Sequence, residues 1–211
     1  MEFHLLYSGR LKASGGIEDK HVIRKELNPQ LAQLWDTHPA LHQMKELGIP
    51  LFAETFADET IHPANKFDGY AILTLGQFAN QFRIGDFRFV PLVSRGFLTT
   101  CSLDILFLRS APPGKLISES GDIDNRIKTL FDGLRMPTPG QEIGGLKPDG
   151  PGEDPFFCLL EDDSLISDFR VIGDRLLTPA TSPNRSENDV RLVIKVKVNV
   201  TRPIPSNMPF L

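Results

Sequence analysis

Two short stretches hold the residues best suited to chemistry. The first reads Gly121-Asp122-Ile123-Asp124-Asn125-Arg126-Ile127-Lys128-Thr129-Leu130-Phe131-Asp132, the second Glu161-Asp162-Asp163. In the first, Ile123, Ile127, Leu130, Phe131 and Leu134 recur at helical spacing as one apolar stripe, while Asp124, Lys128 and Asp132 stand a turn apart on a different face. Asp122 is two residues before Asp124, so within a helix their side chains diverge. They converge only if the helix starts at about Asp124, with Asp122 extended or capping just outside it. That placement also sets negative charge against the positive end of the helix dipole. In the second stretch three adjacent carboxylates repel one another ahead of a predicted strand. If the two stretches meet, a divalent cation is the simplest compensation, because hard ions such as Mg²⁺ take carboxylate and water oxygens. Two such ions about 3.5–4 Å apart activate a water and stabilise the leaving oxygen of a phosphodiester. Lys128 can then stabilise charge developing at phosphorus. Each piece also has an ordinary reading: Asp122 as a helix cap, Asp124 with Lys128 as a surface ion pair of about 0.3–0.5 kcal/mol, Asp162 and Asp163 as turn residues. Spacing alone leaves the metal site and the ordinary reading level.

The elements that must position these residues follow from periodicity. Phe3, Leu5 and Tyr7 alternate in a first strand, broken by Ser14-Gly15-Gly16. Val22, Ile23, Leu27, Leu31, Leu34 and Trp35 then recur at helical spacing, although Pro29 argues against one long straight helix. A short helix is predicted after Pro39, ending at Gly48. The Phe-rich stretch inside 50–96, with turn signals at Asp68-Gly69 and Gly85-Asp86, reads as an insertion packed on the core that supplies one or two strands or a hairpin. Cys101, Leu103, Ile105 and Phe107 alternate in a half-buried strand that Ala111-Pro112-Pro113-Gly114 ends. A helix is predicted from about Asp124 to Leu134, a Pro/Gly-rich surface loop over 136–155, and strands over Leu165 to Ile172 and Val190 to Val200. The resulting order, β-α-(insertion)-β-α-β-β, predicts a single α+β domain over 1–211: a mixed β-sheet with packed helices.

Composition narrows the class. Among 211 residues, 40% hydrophobic and 24% charged, the balance is that of a globular chain. No apolar run approaches the ~18 residues of a membrane span, and the N-terminus lacks the layout of a secretory signal, so we read a soluble, cytoplasmic chain that makes no use of a membrane. Two cysteines are too few for a disulfide framework or a cysteine-based zinc site, and Cys101 and Cys158 read as core. His38 and His42 lack a third ligand, no serine has a His/Asp arrangement beside it, and no phosphate-binding G-x-x-x-x-G-K-[ST] loop occurs. A net charge of −4 argues against a generic nucleic-acid coat. Lys20, His21, Arg24 and Lys25 on the first helix, and Lys195 and Lys197 on the last strand, read as solvated faces or, if DNA is bound, as the first phosphate contacts. Phe82, Phe87 and Phe89 read as packing.

The pattern Asp122-x-Asp124-Asn125-x-x-Lys128-x-x-x-Asp132, followed by Leu160-x-Asp162-Asp163-x-x-Ile166, resembles the RusA-type Holliday junction resolvases. The expected element order is similar to theirs, whereas the segment before Phe97 has no obvious counterpart. The resemblance implies Asp122, Asp124 and Asp163 as ligands of Mg²⁺, for which Mn²⁺ can substitute, and Lys128 as the catalytic lysine. Asn125 and Asp162 are implied in support, Asp162 as part of the metal group. It further implies a homodimer that nicks branched DNA through a metal-activated water, leaving 5′-phosphate and 3′-hydroxyl ends. Two alternatives stand beside it: a non-catalytic module binding nucleic acid or a protein partner on the same fold, and a nuclease acting on flaps or RNA.

Overall fold

Alternation builds the main sheet. In Asp189–Val200, Val190, Leu192, Ile194, Val196 and Val198 are buried while Arg191 and Lys197 reach water. The computed structural model describes residues 1–52, 66–67, 70–110, 122–177 and 188–211, without the side chains of residues 52, 66, 67, 70 and 122. The turn signal at Asp68-Gly69 and the run Ala111-Pro112-Pro113-Gly114 lie outside the described residues. Glu2–Arg10 (β1) pairs antiparallel with Asp189–Val200 (β10), β10 antiparallel with Thr99–Arg109 (β7), and β7 parallel with Ile166–Arg175 (β9). The order of this four-stranded sheet is β1-β10-β7-β9. Leu5 faces Ile194, Ile194 faces Ile105 and Ile105 faces Val171, so one apolar surface runs across all the strands. Ile17–Thr37 (α1) and Asp122–Leu134 (α4) close over it: Ile23, Leu27, Leu31 and Trp35 share a core with Ile127, Leu130 and Leu134.

Helix α1 begins where Gly16 donates its N–H to the Asp19 carboxylate at 3.0 Å, and it runs unbroken through Pro29. The break expected there does not occur. Pro29 lies on the exposed face, so the backbone carbonyl it leaves unpaired is on the water side of the helix rather than in the core. Pro39–Leu47 (α2) stops at Gly48, whose φ of 106° favours glycine.

The 50–96 segment holds more than a hairpin. Ile49–Phe52 (β2), Lys66–Phe67 (β3) and Tyr70–Leu73 (β4) make an antiparallel sheet of order β2-β4-β3. Thr74 caps Leu75–Gln81 (α3) by accepting the Gln77 N–H. Arg83–Ile84 (β5) and Phe87–Val93 (β6) form a hairpin, and β6 pairs parallel with Phe156–Leu160 (β8). Strand β8 is absent from the order expected from the sequence, and the reason is its burial on both faces. Phe157, Leu159 and Leu160 join the main core, with Phe157 against Trp35, while Phe156 and Cys158 join a second core with Ile84, Phe87, Phe89 and Met136. Such a strand has no alternation to read. The architecture is a mixed α+β one, and no helix among the described residues is long and apolar enough to cross a membrane.

Candidate active site

Helix α4 starts at Asp122, earlier than the position that would leave Asp122 extended outside it, and it divides its residues among three surroundings. Ile127, Leu130 and Leu134 enter the core. Arg126, Thr129, Asp132 and Gly133 are buried against α1 and the turn before it: an Arg126 guanidinium nitrogen donates to the Leu11 carbonyl, and Thr129 Oγ1 accepts the Gly15 N–H at 3.2 Å. Asp124, Asn125 and Lys128 are left exposed on the third side. With two faces of the helix docked, the direction of the third is fixed.

Between α4 and the edge strand β9 lies a pocket of about 380 Å³, lined by Ile123, Asp124, Ile127, Lys128, Phe131, Asp163, Phe169 and Val171. Asp163 reaches it from the 3₁₀ turn Asp163–Leu165 at the head of β9. Helix and turn thus bring Asp124, Lys128 and Asp163 to one place. Among the described residues none of these three side chains has a hydrogen-bond or ion-pair partner. The side chain of Asp122 lies outside the described residues, and among the described ones no three His, Cys, Asp or Glu side chains gather as a metal-holding group.

The other two carboxylates of the second stretch are compensated without an ion. Arg95 donates its backbone N–H to Glu161 Oε2 at 2.8 Å and Nη1 to Glu161 Oε1 at 3.1 Å, and its Nη2 stands 3.3 Å from Asp162 Oδ1. Asp162 caps the 3₁₀ turn by accepting the Ser164 N–H at 3.1 Å and the Ser164 hydroxyl. The Ser164 hydroxyl first, then the Ser164 amide and Arg95, hold the Asp162 carboxyl below its ordinary range against the opposing effect of burial. Asp162 therefore shapes the turn that presents Asp163 and does not line the pocket. Compensation of the second stretch thus does not rest on a cation alone: Arg95 stands against Glu161 and Asp162, and among the described residues Asp163 has no partner.

The basic face of α1 is corrected as well. Lys20 pairs with Asp132 at 2.9 Å and Glu142 at 3.0 Å, and Lys25 with Glu153 at 3.0 Å and with Asp149. Arg24 is buried and donates to the carbonyls of Asp132 at 2.6 Å and Arg135 at 2.9 Å. His21 is buried edge-on to Phe87, and burial pushes its pKa down. This face neither faces water nor awaits phosphate. It holds the 136–155 loop through Glu142, Asp149 and Glu153, an anchorage that the reading of a Pro/Gly-rich surface loop does not contain. Asp132, one turn beyond Lys128, is committed to Lys20 and to Arg135 at 2.6 Å. On β10, Lys195 pairs with Glu2 at 2.9 Å. Cys101 and Cys158 are buried thiols as expected, burial pushing Cys101 up to about 12.

The floor of the pocket was not foreseen. Phe131 reads from sequence as core packing, and Phe169 falls in a predicted strand with no role. The register explains the omission. Cys101 pairs with Ile166 but Ser102 pairs with Asp168, so Ser167 is an extra residue on β9, a bulge. Beyond it the alternation changes parity: Phe169 and Val171 stand opposite Leu103 and Ile105 on the core side, and Asp168 and Arg170 turn outward. Phe169 meets Phe131 of α4 edge-on at 5.2 Å yet stays 52% exposed.

Comparison with protein-family models, with curated proteins and with solved structures finds no match. What fold and site define is a mixed α+β protein with a pocket at a sheet edge, walled by two carboxylates and a lysine that have no partner among the described residues, and floored by apolar side chains.

Proposed function

We propose that the chain is a Mg²⁺-dependent endodeoxyribonuclease of the RusA-like kind, cutting branched DNA as a homodimer in the cytoplasm. One observation carries this: Asp124, Lys128 and Asp163, singled out by spacing, line one pocket, with no partner of their own among the described residues. The neighbouring carboxylates of the second stretch are, by contrast, neutralised by Arg95, which pairs with Glu161 and Asp162. Two carboxylates left bare beside one ammonium group suit a ligand that brings positive charge.

The donor chemistry fits Mg²⁺ or Mn²⁺, since the available atoms are carboxylate oxygens and hard ions prefer them. Asp124 and Asp163 would hold the ion, with Asp122 joining them if the resemblance carries over. When bound, the ion supplies Lewis acidity and lowers the pKa of water. The chain's own residues do the rest. Lys128, one turn from Asp124, orients a non-bridging phosphate oxygen and neutralises charge that grows on it during in-line attack. Asp162 and Arg95 hold the turn that presents Asp163. The described elements add β8 to the expected order β-α-(insertion)-β-α-β-β, and their mixed α+β architecture is compatible with the reading.

The test is a cleavage panel of junction, flap, duplex and single-stranded DNA, with and without Mg²⁺, run beside thermal melting. Wild type is expected to cut in Mg²⁺ and to melt higher, with about 2.7 kcal/mol of stabilisation at one hundred times Kd. Asp124→Asn is expected to keep the fold, lose the melting response and abolish cutting. An Asp124→Asn protein that cuts at the wild-type rate refutes the assignment. A wild type that cuts nothing and shows no melting shift leaves a non-catalytic binding module.

A further inference from the structure

We infer that the apolar floor of the pocket is a subsite for one unstacked nucleobase of the DNA, so that the substrate class is DNA with an unpaired nucleotide beside the scissile phosphate. The position of this subsite rests on the nuclease reading above. Its chemistry rests on the residues themselves. Asp124, Lys128 and Asp163 contribute one positive charge against two negative ones, and the remaining lining is aliphatic and aromatic. A groove built to track a duplex backbone is lined by cations. The basic face of α1 that looked able to supply them is spent on Glu142, Asp149, Glu153 and backbone carbonyls.

What this pocket offers instead is a ring. The bulge at Ser167 turns Phe169 to the core side of the sheet, where its neighbours on β7, Leu103 and Ile105, are 1% exposed, yet Phe169 itself, at the edge of the sheet beside the pocket, is 52% exposed. Phe131 braces it edge-on at an interplanar angle of 83°, and Val171 and Ile127 complete the wall. An aromatic face held by its neighbour and open on one side accepts a planar partner by stacking, and every base has such a face. The pocket volume of about 380 Å³ lies within the range of small-ligand sites. A base can enter only if it has left its own stack, which costs least at a mismatch, a branch or a single-stranded segment.

The experiment uses full-length protein and DNA carrying 2-aminopurine, which reports loss of stacking by fluorescence, scanned through the nucleotides on either side of the cut. In the Asp124→Asn protein, expected to bind without cutting, the signal should change at one position in branched or gapped DNA and at none in unbroken duplex. Phe169→Ala is expected to weaken binding of the branched substrate about tenfold, to abolish that signal, and to leave duplex binding unchanged. Phe169→Leu, which keeps apolar volume without the ring, should behave as Phe169→Ala, and Phe169→Tyr should restore both readouts. Equal loss on branched and duplex DNA, full affinity in Phe169→Leu, or no signal at any position overturns the subsite. Wild-type cutting that Asp124→Asn abolishes would then leave the nuclease reading standing. Conversely, a positional signal in a protein that cuts nothing overturns the nuclease reading and supports the subsite.

Discussion

Glu142 accepts four hydrogen bonds: from the Thr138 N–H at 2.9 Å, Lys20 Nζ at 3.0 Å, and Arg135 Nη1 at 2.9 Å and Nη2 at 3.2 Å. Burial alone would raise its pKa, but the Thr138 amide, Lys20 and Arg135 outweigh it and hold the carboxyl down at about 2, against an ordinary 4.5. The group is depressed on folding, so its stabilisation is fully present above about 4.5 and is lost as the pH falls through about 2. By linkage that difference is worth at most about 3 kcal/mol. Water reaches the rim of the cluster, and screening there brings the expected value to about 1–2 kcal/mol. Glu142→Gln keeps the volume and the acceptor while removing the charge. Urea unfolding of both proteins between about pH 7 and pH 3 should show a gap of about 1–2 kcal/mol near neutrality that narrows steadily below about pH 4.5. Other carboxylates titrate equally in both chains and cancel in the difference. A gap of constant size across that range, or none at pH 7, would refute the view that the 136–155 loop is held by charge rather than by its apolar contacts.

Two further substitutions probe the scaffold of the site. A Cβ added at Gly133 would stand 2.7 Å from Cβ and Cγ2 of Ile23, so Gly133→Ala should lose about 1–2 kcal/mol in urea unfolding even though alanine is the better helix former. Arg95→Ala should cost under about 1 kcal/mol at high salt and more at low salt, because the repulsion released among Glu161, Asp162 and Asp163 is screened beyond a Debye length. A loss independent of ionic strength would assign Arg95 to packing instead.

Elements with a clean period were legible before any coordinates. The alternation of β7 and β10 and the stripe of α4 sit within a residue or two of their expected positions. Asp124 and Lys128 share one exposed face, as their spacing predicts, and Asp163 lines the same pocket. Strand β8 was not legible, because burial on both faces erases the period. The consumption of Lys20, Arg24 and Lys25 was hidden too: a charged helical face looks the same whether it meets water or a distant acidic loop. Phe169 escaped because a bulge changes parity without leaving a mark in composition.

That single extra residue gives the edge of the sheet slack in length. Losing Ser167 would bring Asp168 directly after Ile166, against Ser102 and Cys101, and would leave Phe169 and Val171 opposite Leu103 and Ile105. A residue gained further along β9 finds no such slack, because every later side chain would then change sides. Drift in this segment should therefore tolerate the loss of one residue sooner than the gain of one.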